Sequence, residues 1–221
     1  MQYHDDVHHL RYAYNGSANE RNESVLAPWK LTERRRVLDM FRKHNAQRLL
    51  EIGAGTGKDA AFFRDGGLDV VCTDLSPEMV RHCRAKGLTV HGMDFLNLDF
   101  PQASFDAVYA LNCLLHVPKR DLQAVLERVR FVLKPGGLMM LIAPSGGYEH
   151  RFPLDCWRYY TDGMRALTAY LRFELIDAYT DWGNEVWEDS VVVMRKPVMD
   201  LDAIAASAWR WHSTHLDGYP S

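Results

Sequence analysis

A glycine-rich segment near residue 50 is the part of the sequence best suited to ligand binding. The segment from Leu50 to Asp59 reads LEIGAGTGKD and follows an apolar run. Glycines let the backbone approach a ligand closely, and the helix N-terminus predicted behind them favours a negatively charged group such as a carboxylate or phosphate. The segment therefore predicts a site for a nucleotide-like ligand.

Asp74 is the second candidate ligand contact. It ends the apolar run from Asp69 to Asp74, which is typical of a buried strand. A carboxylate in this place accepts hydrogen bonds from ribose hydroxyls, which dinucleotides and adenosyl compounds both carry. Asp74 supports a nucleoside ligand without separating these two classes.

The spacing of the glycines distinguishes a dinucleotide site from an adenosyl site. The dinucleotide fingerprint G-x-G-x-x-G requires a third glycine or an alanine where this sequence has Lys58. A nucleotide-dependent oxidoreductase remains an alternative, opposed by Lys58.

Short apolar runs alternate with helical patterns from residue 48 onward, which indicates βα units around a parallel sheet. The predicted strands are 48–52, 69–74, 88–91, 105–110 and 137–143. A helical stripe ending at Leu133 and a stop at Lys134–Gly137 precede the fifth strand. Two more candidates, 173–180 and 190–195, follow in plain hairpin order as an antiparallel edge. The fold class predicted is α/β, with a doubly wound, seven-stranded, mostly parallel sheet and helices on both faces.

Three later segments share their order and separation with a known family: Gly92–Phe95, Phe105–Val117 and Leu133–Leu138. With the G-x-G-x-G loop and Asp74, they resemble the motifs of class I S-adenosylmethionine-dependent methyltransferases of the small-molecule type. The resemblance spans Trp29 to Pro144. It implies a Rossmann-like methyltransferase fold, S-adenosylmethionine as cofactor with S-adenosylhomocysteine as product, and a small-molecule methyl acceptor.

The resemblance also implies a set of cofactor-binding residues. In chain order they are Glu51, Gly53, Gly55, Gly57, Asp74, Asp94, Phe95, Asn112 and Leu114. Glu51 and the glycines would surround the methionine part, and Asn112 with Leu114 would contact its end. Asp74 would bind the ribose, Asp94 the adenine amino group and Phe95 the ring edge.

Two residues are candidates for the catalytic contact with the acceptor. His116 follows the fourth strand, where the family often has a histidine near the acceptor; the alternative is a structural hydrogen bond. Tyr14 begins the segment Tyr14–Ala18, which resembles the family's Y-D-x-x-A lid with Asn15 in place of the acid. No D/N-P-P-Y/F sequence follows the fourth strand, which disfavours amino methylation of nucleobases or glutamine by that mechanism.

An aromatic and charged segment, 148–160, is predicted to cover the substrate, because loops over strand carboxyl ends often carry function. Its candidate substrate contacts are Tyr148, Arg151 and Arg158. The alternative is a hydrophobic cluster packed under a long loop.

The chain is predicted to form a single domain, 1–221. Its parts are an N-terminal lid and helix (1–45), a cofactor-binding core (46–144), a substrate-lid insertion and helix (145–172), edge strands (173–197) and a C-terminal helix or tail (198–221).

The amino-acid composition argues against several classes of binding partner. Lys and Arg number 26 against 29 Asp and Glu, so the chain lacks the positive field that nucleic acid requires. The longest apolar run, Leu138–Ala143, is too short to span a membrane. The four cysteines show no zinc spacing and favour a reducing, cytoplasmic compartment. No metal site is expected: His4, His8 and His9 are interpreted as a frayed terminus, and Arg34–Arg36 as a solvated helix face.

Two further functions remain alternatives. The aromatic insertion and a tail carrying Trp209 and Trp211 would also suit a non-catalytic adenosyl-binding or partner-binding module. Methylation of protein or RNA is disfavoured by the net charge of −3 and by the lack of an added recognition domain.

Overall fold

The computed structural model describes residues 3–147, 157–181 and 188–198. Seven strands form one sheet: β1 Arg48–Ile52, β2 Asp69–Asp74, β3 Thr89–Gly92, β4 Phe105–Leu111, β5 Leu133–Pro144, β6 Glu174–Asp181 and β7 Asp189–Arg195. The helices are α1 Tyr3–Glu23, α2 Pro28–Lys43, α3 Lys58–Asp65, α4 Pro77–Ala85, α5 Lys119–Val132 and α6 Thr161–Tyr170, with a 3₁₀ turn at Leu114–His116.

The sheet has the order β3-β2-β1-β4-β5-β7-β6. The ladders joining β3, β2, β1, β4 and β5 are parallel, and β7 is antiparallel to both β5 and β6. Successive strands run outward from β1 in both directions, so a crevice opens above the carboxyl ends of β1 and β4. The predicted doubly wound, mostly parallel sheet is confirmed.

Two apolar layers cover the sheet. On one face, α5 and α6 pack on the strands through side chains such as Val125, Val129 and Met164. On the other face, α2, α3 and α4 pack through residues such as Phe41, Phe63 and Val80. The layers fix the sheet rigidly beneath the crevice.

The order of the last two strands differs from the plain hairpin order. They pair with each other, but β7 lies between β5 and β6. Residues Asp189–Met194 are buried, whereas β6 leaves Leu175 40% exposed. An apolar strand covered on both faces belongs inside the sheet, and the strand with an exposed side takes the edge.

The start of β5 also differs from its prediction. Leu133 is not helical: α5 ends at Val132, and Leu133 pairs with Phe105 in the sheet. The ladder then shifts before Leu138 pairs with Ala107. The Pro-Gly-Gly segment lies at this shift, an irregularity of the β-bulge type. It needs glycine at 137, because a β-carbon there would lie 2.9 Å from the carbonyl oxygen of Asp106.

The N-terminal residues were expected to fray and instead form the first turns of α1. Val7, Leu10 and Ala18 are buried on one face of this helix, which ties it to the domain. Asp5 and Asp6 in the first turn suit the positive end of the helix dipole. The expectation of a frayed terminus was wrong because it ignored this tertiary packing.

The predicted C-terminal helix, Tyr148 and Arg151 lie outside the described residues. Within the described residues, no helix combines the length and apolar character needed to cross a bilayer.

Candidate functional site

A cavity of about 330 Å³ lies above the carboxyl ends of the central strands. The glycine loop, the end of β2 and the end of β4 form its floor, and α1 crosses over it. This volume falls within the range of small-molecule and cofactor sites. Of the residues predicted to bind cofactor, those lining the cavity are Gly53, Gly55, Asp74, Asp94, Phe95 and Asn112.

The three loop glycines all have positive φ, between 57° and 78°, but they serve different purposes. A β-carbon on Gly53 would lie 2.6 Å from Cβ of Cys113, and one on Gly57 would lie 2.6 Å from Cδ1 of Leu88. At Gly55, no heavy atom of the described residues lies within 4 Å of that position. Packing against Cys113 therefore requires glycine at 53, the φ of 78° favours glycine at 57, and Gly55 leaves room on the side of the cavity.

Asp74 ties the glycine loop to the end of β2. Its Oδ2 accepts the backbone N–H of Gly55 at 2.8 Å, and its Oδ1 accepts that of Ser76 at 2.8 Å. Burial raises the pKa of Asp74 to about 6, against the lowering effect of these hydrogen bonds. Each carboxylate oxygen can accept a second hydrogen bond, so Asp74 remains able to accept ligand hydroxyls.

Two buried polar groups near the loop have unused hydrogen-bonding capacity. Oδ1 of Asn112 and Oε2 of Glu51 have no hydrogen-bond partner among the described residues. Asn112 lines the cavity with φ at 48°, a conformation rare outside glycine and common at functional sites. Burial, reinforced by the charges of Asp59 and Asp74, raises the pKa of Glu51 well above its ordinary range. Buried polar atoms are normally paired, so the Oδ1 of Asn112, which lines the cavity, fits a polar ligand end.

Asp94 and Phe95 form the wall that follows β3. The Asp94 carboxylate accepts the backbone N–H groups of Leu96 and Asn97, and the Asn97 side-chain amide donates to it at 2.7 Å. These contacts hold Asp94 at the cavity wall.

Three other predicted residues lie elsewhere. Glu51 and Gly57 lie behind the cavity wall, and Leu114 is wholly buried in the core beneath α5. The Leu114 side chain points into the core and Leu114 does not line the cavity, so its contact with the methionine end stays a prediction.

Tyr14 and His116, the two predicted acceptor-side residues, meet in the cavity. The Tyr14 hydroxyl lies 2.6 Å from Nε2 of His116, and their ring centroids are 5.6 Å apart. His116 is 7% exposed and belongs to the 3₁₀ turn after β4. The guanidinium of Arg21 lies 4.9 Å from the centroid of the Tyr14 ring.

The predicted lid segment forms the middle of α1, which is joined to α4 and the residue that follows it by several hydrogen bonds. The Ser76 hydroxyl donates to Oδ1 of Asn15 at 2.6 Å, and Lys86 donates to Oδ1 of Asn22 at 2.6 Å. Between them, Oδ1 of Asn19 lies 3.0 Å from Nε2 of His82. Asn15 thus binds the N-terminus of α4 through its amide oxygen, an interaction that does not require the acid of the lid pattern.

The sequence analysis missed a charged wall formed by Lys30, Glu33, Arg34 and Asp59. Lys30 donates to Glu33 at 2.9 Å and also to Asp189. Burial disfavours the charged form of Lys30, but the Asp189 and Glu33 carboxylates outweigh it and raise the pKa of Lys30.

Arg34 does not share the solvated position predicted for Arg34–Arg36. Its guanidinium lies 3.7 Å from Asp59 and 4.4 Å from the centroid of the Phe62 ring. Arg35 and Arg36 are exposed, as expected. The sequence of Arg34–Arg36 alone does not indicate that the Arg34 side chain points inward.

The insertion contributes a support beside the cavity. Nε1 of Trp157 donates to the carbonyl oxygen of Val117 at 2.7 Å, next to His116. Arg158 donates to the carbonyl oxygen of Trp157 and does not line the cavity. Within the described residues, no group of three or more His, Cys, Asp or Glu side chains is arranged to hold a metal ion.

Comparison with known proteins agrees with this arrangement. Residues 49–137 match the family model described as a methyltransferase domain. Malonyl-[acyl-carrier protein] O-methyltransferase from Serratia marcescens is 29% identical over 138 residues, covering 62% of this chain and 52% of that protein. An uncharacterized methyltransferase from Mycobacterium tuberculosis is 30% identical over 174 residues, covering 74% and 65%. The chain spans about half the length of the first of these curated relatives.

Solved structures share the fold. The 1,6-didemethyltoxoflavin-N1-methyltransferase of Burkholderia thailandensis, solved with 1,6-didemethyltoxoflavin and S-adenosylhomocysteine bound, has a TM-score of 0.70 at 20% identity. The match covers 89% of this chain and 91% of that one. In its matched residues 49–137, its sheet order and its glycine loop above β1, the chain is similar to class I S-adenosylmethionine-dependent methyltransferases.

Proposed function

We propose that this protein transfers the sulfonium methyl group of S-adenosylmethionine to a nucleophilic atom of a small-molecule acceptor. The observation that carries this proposal is the continuity of the cavity. A single cavity is lined by Gly55 and Asp74 and also by the hydrogen-bonded pair Tyr14 and His116. The proposed cofactor site and the proposed proton-accepting site therefore open into the same cavity.

The residues present fit the cofactor. Asp74 would accept hydrogen bonds from the ribose hydroxyls, for which its oxygens retain capacity. The open side of Gly55 would admit the methionine part, and the unpaired Oδ1 of Asn112 would accept a hydrogen bond from the ammonium group at its end. Phe95 and Asp94 would contact the adenine, as the family resemblance implies.

The methyl group needs little covalent help from the protein. Bound S-adenosylmethionine supplies a methyl group already activated by a positively charged sulfur. The contribution of the protein is then to hold the acceptor in line and to exclude water, which α1 does by covering the cavity. A base is required only where the acceptor atom carries a proton at neutral pH.

Tyr14 and His116 are placed to provide that base. With Nε2 of His116 unprotonated, the Tyr14 hydroxyl donates its hydrogen bond to it. The Tyr14 oxygen would accept the proton of the acceptor while its own proton passes to His116, which leaves a neutral tyrosine and an imidazolium. The proton then leaves with product release to solvent or buffer.

The size of the cavity and the compounds named for the relatives support a small acceptor. The Burkholderia structure contains 1,6-didemethyltoxoflavin, a small molecule. A demethylmenaquinone methyltransferase of Tropheryma whipplei is 30% identical over 131 residues, covering 58% of this chain and 53% of that protein.

Calorimetric titration with S-adenosylhomocysteine and, separately, with NADH tests the cofactor part. We expect binding of the first and none of the second; the reverse would favour an oxidoreductase. Gly55→Val should abolish binding, because the β-branched side chain fills the open side of the loop. Gly67→Val is a matched control, since Gly67 has φ of 97° and similarly free space but does not line the cavity.

Transfer of a labelled methyl group to a panel of hydroxyl, amine and N–H heterocyclic acceptors tests the catalytic part. Binding of S-adenosylhomocysteine with no transfer to any acceptor would favour the non-catalytic binding module.

A further inference from the structure

The part of the cavity beyond Tyr14 and His116 has a chemistry of its own. It is lined by Asp6, Val7 and Leu10 of α1 and by Val117 and Pro118 after the 3₁₀ turn. Asp6 is 3% exposed, Val7 9%, Leu10 8% and Val117 2%. We call these five residues the distal arm. The family resemblance assigns none of them to the cofactor.

The spacing along α1 gives the distal arm its direction. Asp6, Leu10 and Tyr14 are four residues apart and lie on one face of the helix. Eight residues of α-helix from Tyr14 to Asp6 span about 12 Å. At the opposite end of the same helix, Arg21 lines the cavity, and its charge partly opposes the burial that raises the pKa of Asp74. The distal arm therefore points away from the cofactor site.

Asp6 is the one charged group among the five residues of the distal arm. Its side chain is 5% exposed and forms an ion pair with Arg120, which approaches from the outer side and is 48% exposed. Arg120 also lies 3.2 Å from Asp121. A buried carboxylate requires hydrogen-bond donors, and Arg120 reaches Oδ2 of Asp6 through Nη2, which leaves the carboxylate able to accept a further hydrogen bond. Asp6 therefore offers an acceptor at the end of the otherwise apolar distal arm.

We propose that the distal arm binds the part of the acceptor remote from the methylated atom and that Asp6 selects acceptors with a protonated amine there. This inference rests on the function proposed above. The acceptor would have an apolar body against Val7, Leu10 and Val117. Its ammonium group would lie beside Asp6, whose backbone is about 12 Å along the helix axis from that of Tyr14. A carboxylate in the same place would face Asp6 and be rejected.

Three probes of equal length test the charge preference: n-octylammonium, 1-octanol and n-octanoate, titrated by calorimetry into the full chain saturated with S-adenosylhomocysteine. We expect octylammonium to bind about tenfold or more tightly than octanoate, the effect of one charge-assisted hydrogen bond against a repelled charge. Equal or tighter binding of octanoate, or no measurable binding of octylammonium, would overturn the inference.

Variants assign the preference to Asp6. Asp6→Asn should weaken octylammonium binding by about tenfold while leaving octanol within about twofold. Asp5→Asn is the matched control, since Asp5 is exposed on the same turn and does not line the cavity. An unchanged preference in Asp6→Asn would contradict the role of Asp6.

Two measurements separate a failure of this inference from other failures. A second variant, Arg120→Gln, covers the case in which Asp6→Asn loosens α1. It keeps the Asp6 carboxylate and removes the guanidinium that competes for it, so octylammonium should bind at least as tightly as in the wild type. Weaker binding would contradict the proposal. The affinity of the wild-type protein for S-adenosylhomocysteine is measured first. Its absence would reject the proposed function, whereas its presence without an ammonium preference would reject the distal arm alone.

Discussion

Tyr14 and His116 lie 102 residues apart in the chain and share a hydrogen bond of 2.6 Å inside the cavity. Tyr14 is carried by α1, and His116 follows the central strand β4. Because Tyr14 comes from α1 and His116 from the turn after β4, the pair depends on the packing of α1 against the rest of the domain.

The first prediction concerns this pair. Tyr14→Phe and His116→Ala should each lower kcat by about 10²- to 10⁴-fold with a proton-bearing acceptor, the usual contribution of a general base. Neither residue is proposed to touch the adenosyl group, so affinity for S-adenosylhomocysteine should change little. Steady-state kinetics and calorimetry on the same preparations measure both. Loss of cofactor affinity in both variants would place the pair in the cofactor site or the core.

The second prediction concerns the ribose contact. Hydrogen bonds to a charged group are worth about 1.5–3 kcal/mol, so Asp74→Ala should weaken S-adenosylhomocysteine binding by roughly ten- to a hundredfold. Asp69→Ala is a control at the other end of β2, where the carboxylate is 67% exposed and lies 3.4 Å from the guanidinium of Arg48. Equal affinities of Asp74→Ala and the wild type by calorimetry would exclude a ribose contact.

The glycine loop and Asp74 could be predicted from sequence because their geometry is local. A strand end, a tight turn and a helix start follow one another within a few residues, and the glycines record the turn directly. The order of β6 and β7 could not be predicted in the same way, because both orders preserve their pairing. The order is set by burial, because β7 is covered on both faces and therefore lies inside the sheet.

The walls contributed by α1 and α2 were missed for a related reason. Asp6, Arg21 and Arg34 resemble ordinary surface charges in the sequence, and only tertiary packing turns them inward. Leu114 illustrates the converse: its place in a motif predicts a contact with the cofactor, and the sequence alone does not indicate that the 3₁₀ turn buries its side chain in the core. Side-chain direction over a cavity depends on how helices cross it, which the spacing of one sequence does not reveal.

The third prediction is a stability effect at the charged wall. Lys30 forms the ion pairs with Glu33 and Asp189, whose side chains are 1% and 6% exposed. Lys30→Met leaves two buried carboxylates without this cation and should lower the free energy of unfolding by about 3–5 kcal/mol. Asp39→Asn breaks the exposed pair with Arg42 in the same helix and should cost less than about 1 kcal/mol. Urea denaturation compares the two; similar losses would mean that Lys30 contributes no more than a surface charge.

The fourth prediction follows from the pKa of Asp74, which burial raises to about 6. The ionised carboxylate accepts hydrogen bonds from ribose hydroxyls with both oxygens, while the protonated form loses acceptor capacity at one of them. Cofactor binding therefore favours the ionised form of Asp74, and the affinity for S-adenosylhomocysteine should fall as the pH drops through about 6. An ordinary aspartate, with a pKa of about 3.9, would stay ionised at that pH.

Titrations with S-adenosylhomocysteine from about pH 5 to pH 8 measure this dependence, with circular dichroism confirming the fold at each pH. Asp74→Asn should bind more weakly at pH 8 and lose the pH dependence near 6, because its amide does not titrate. Asp69→Asn, which alters a carboxylate outside the cavity, should retain it. The same decline in Asp74→Asn as in the wild type would assign the pH dependence to another group, with Glu51 the next to test, since its pKa is also raised by burial.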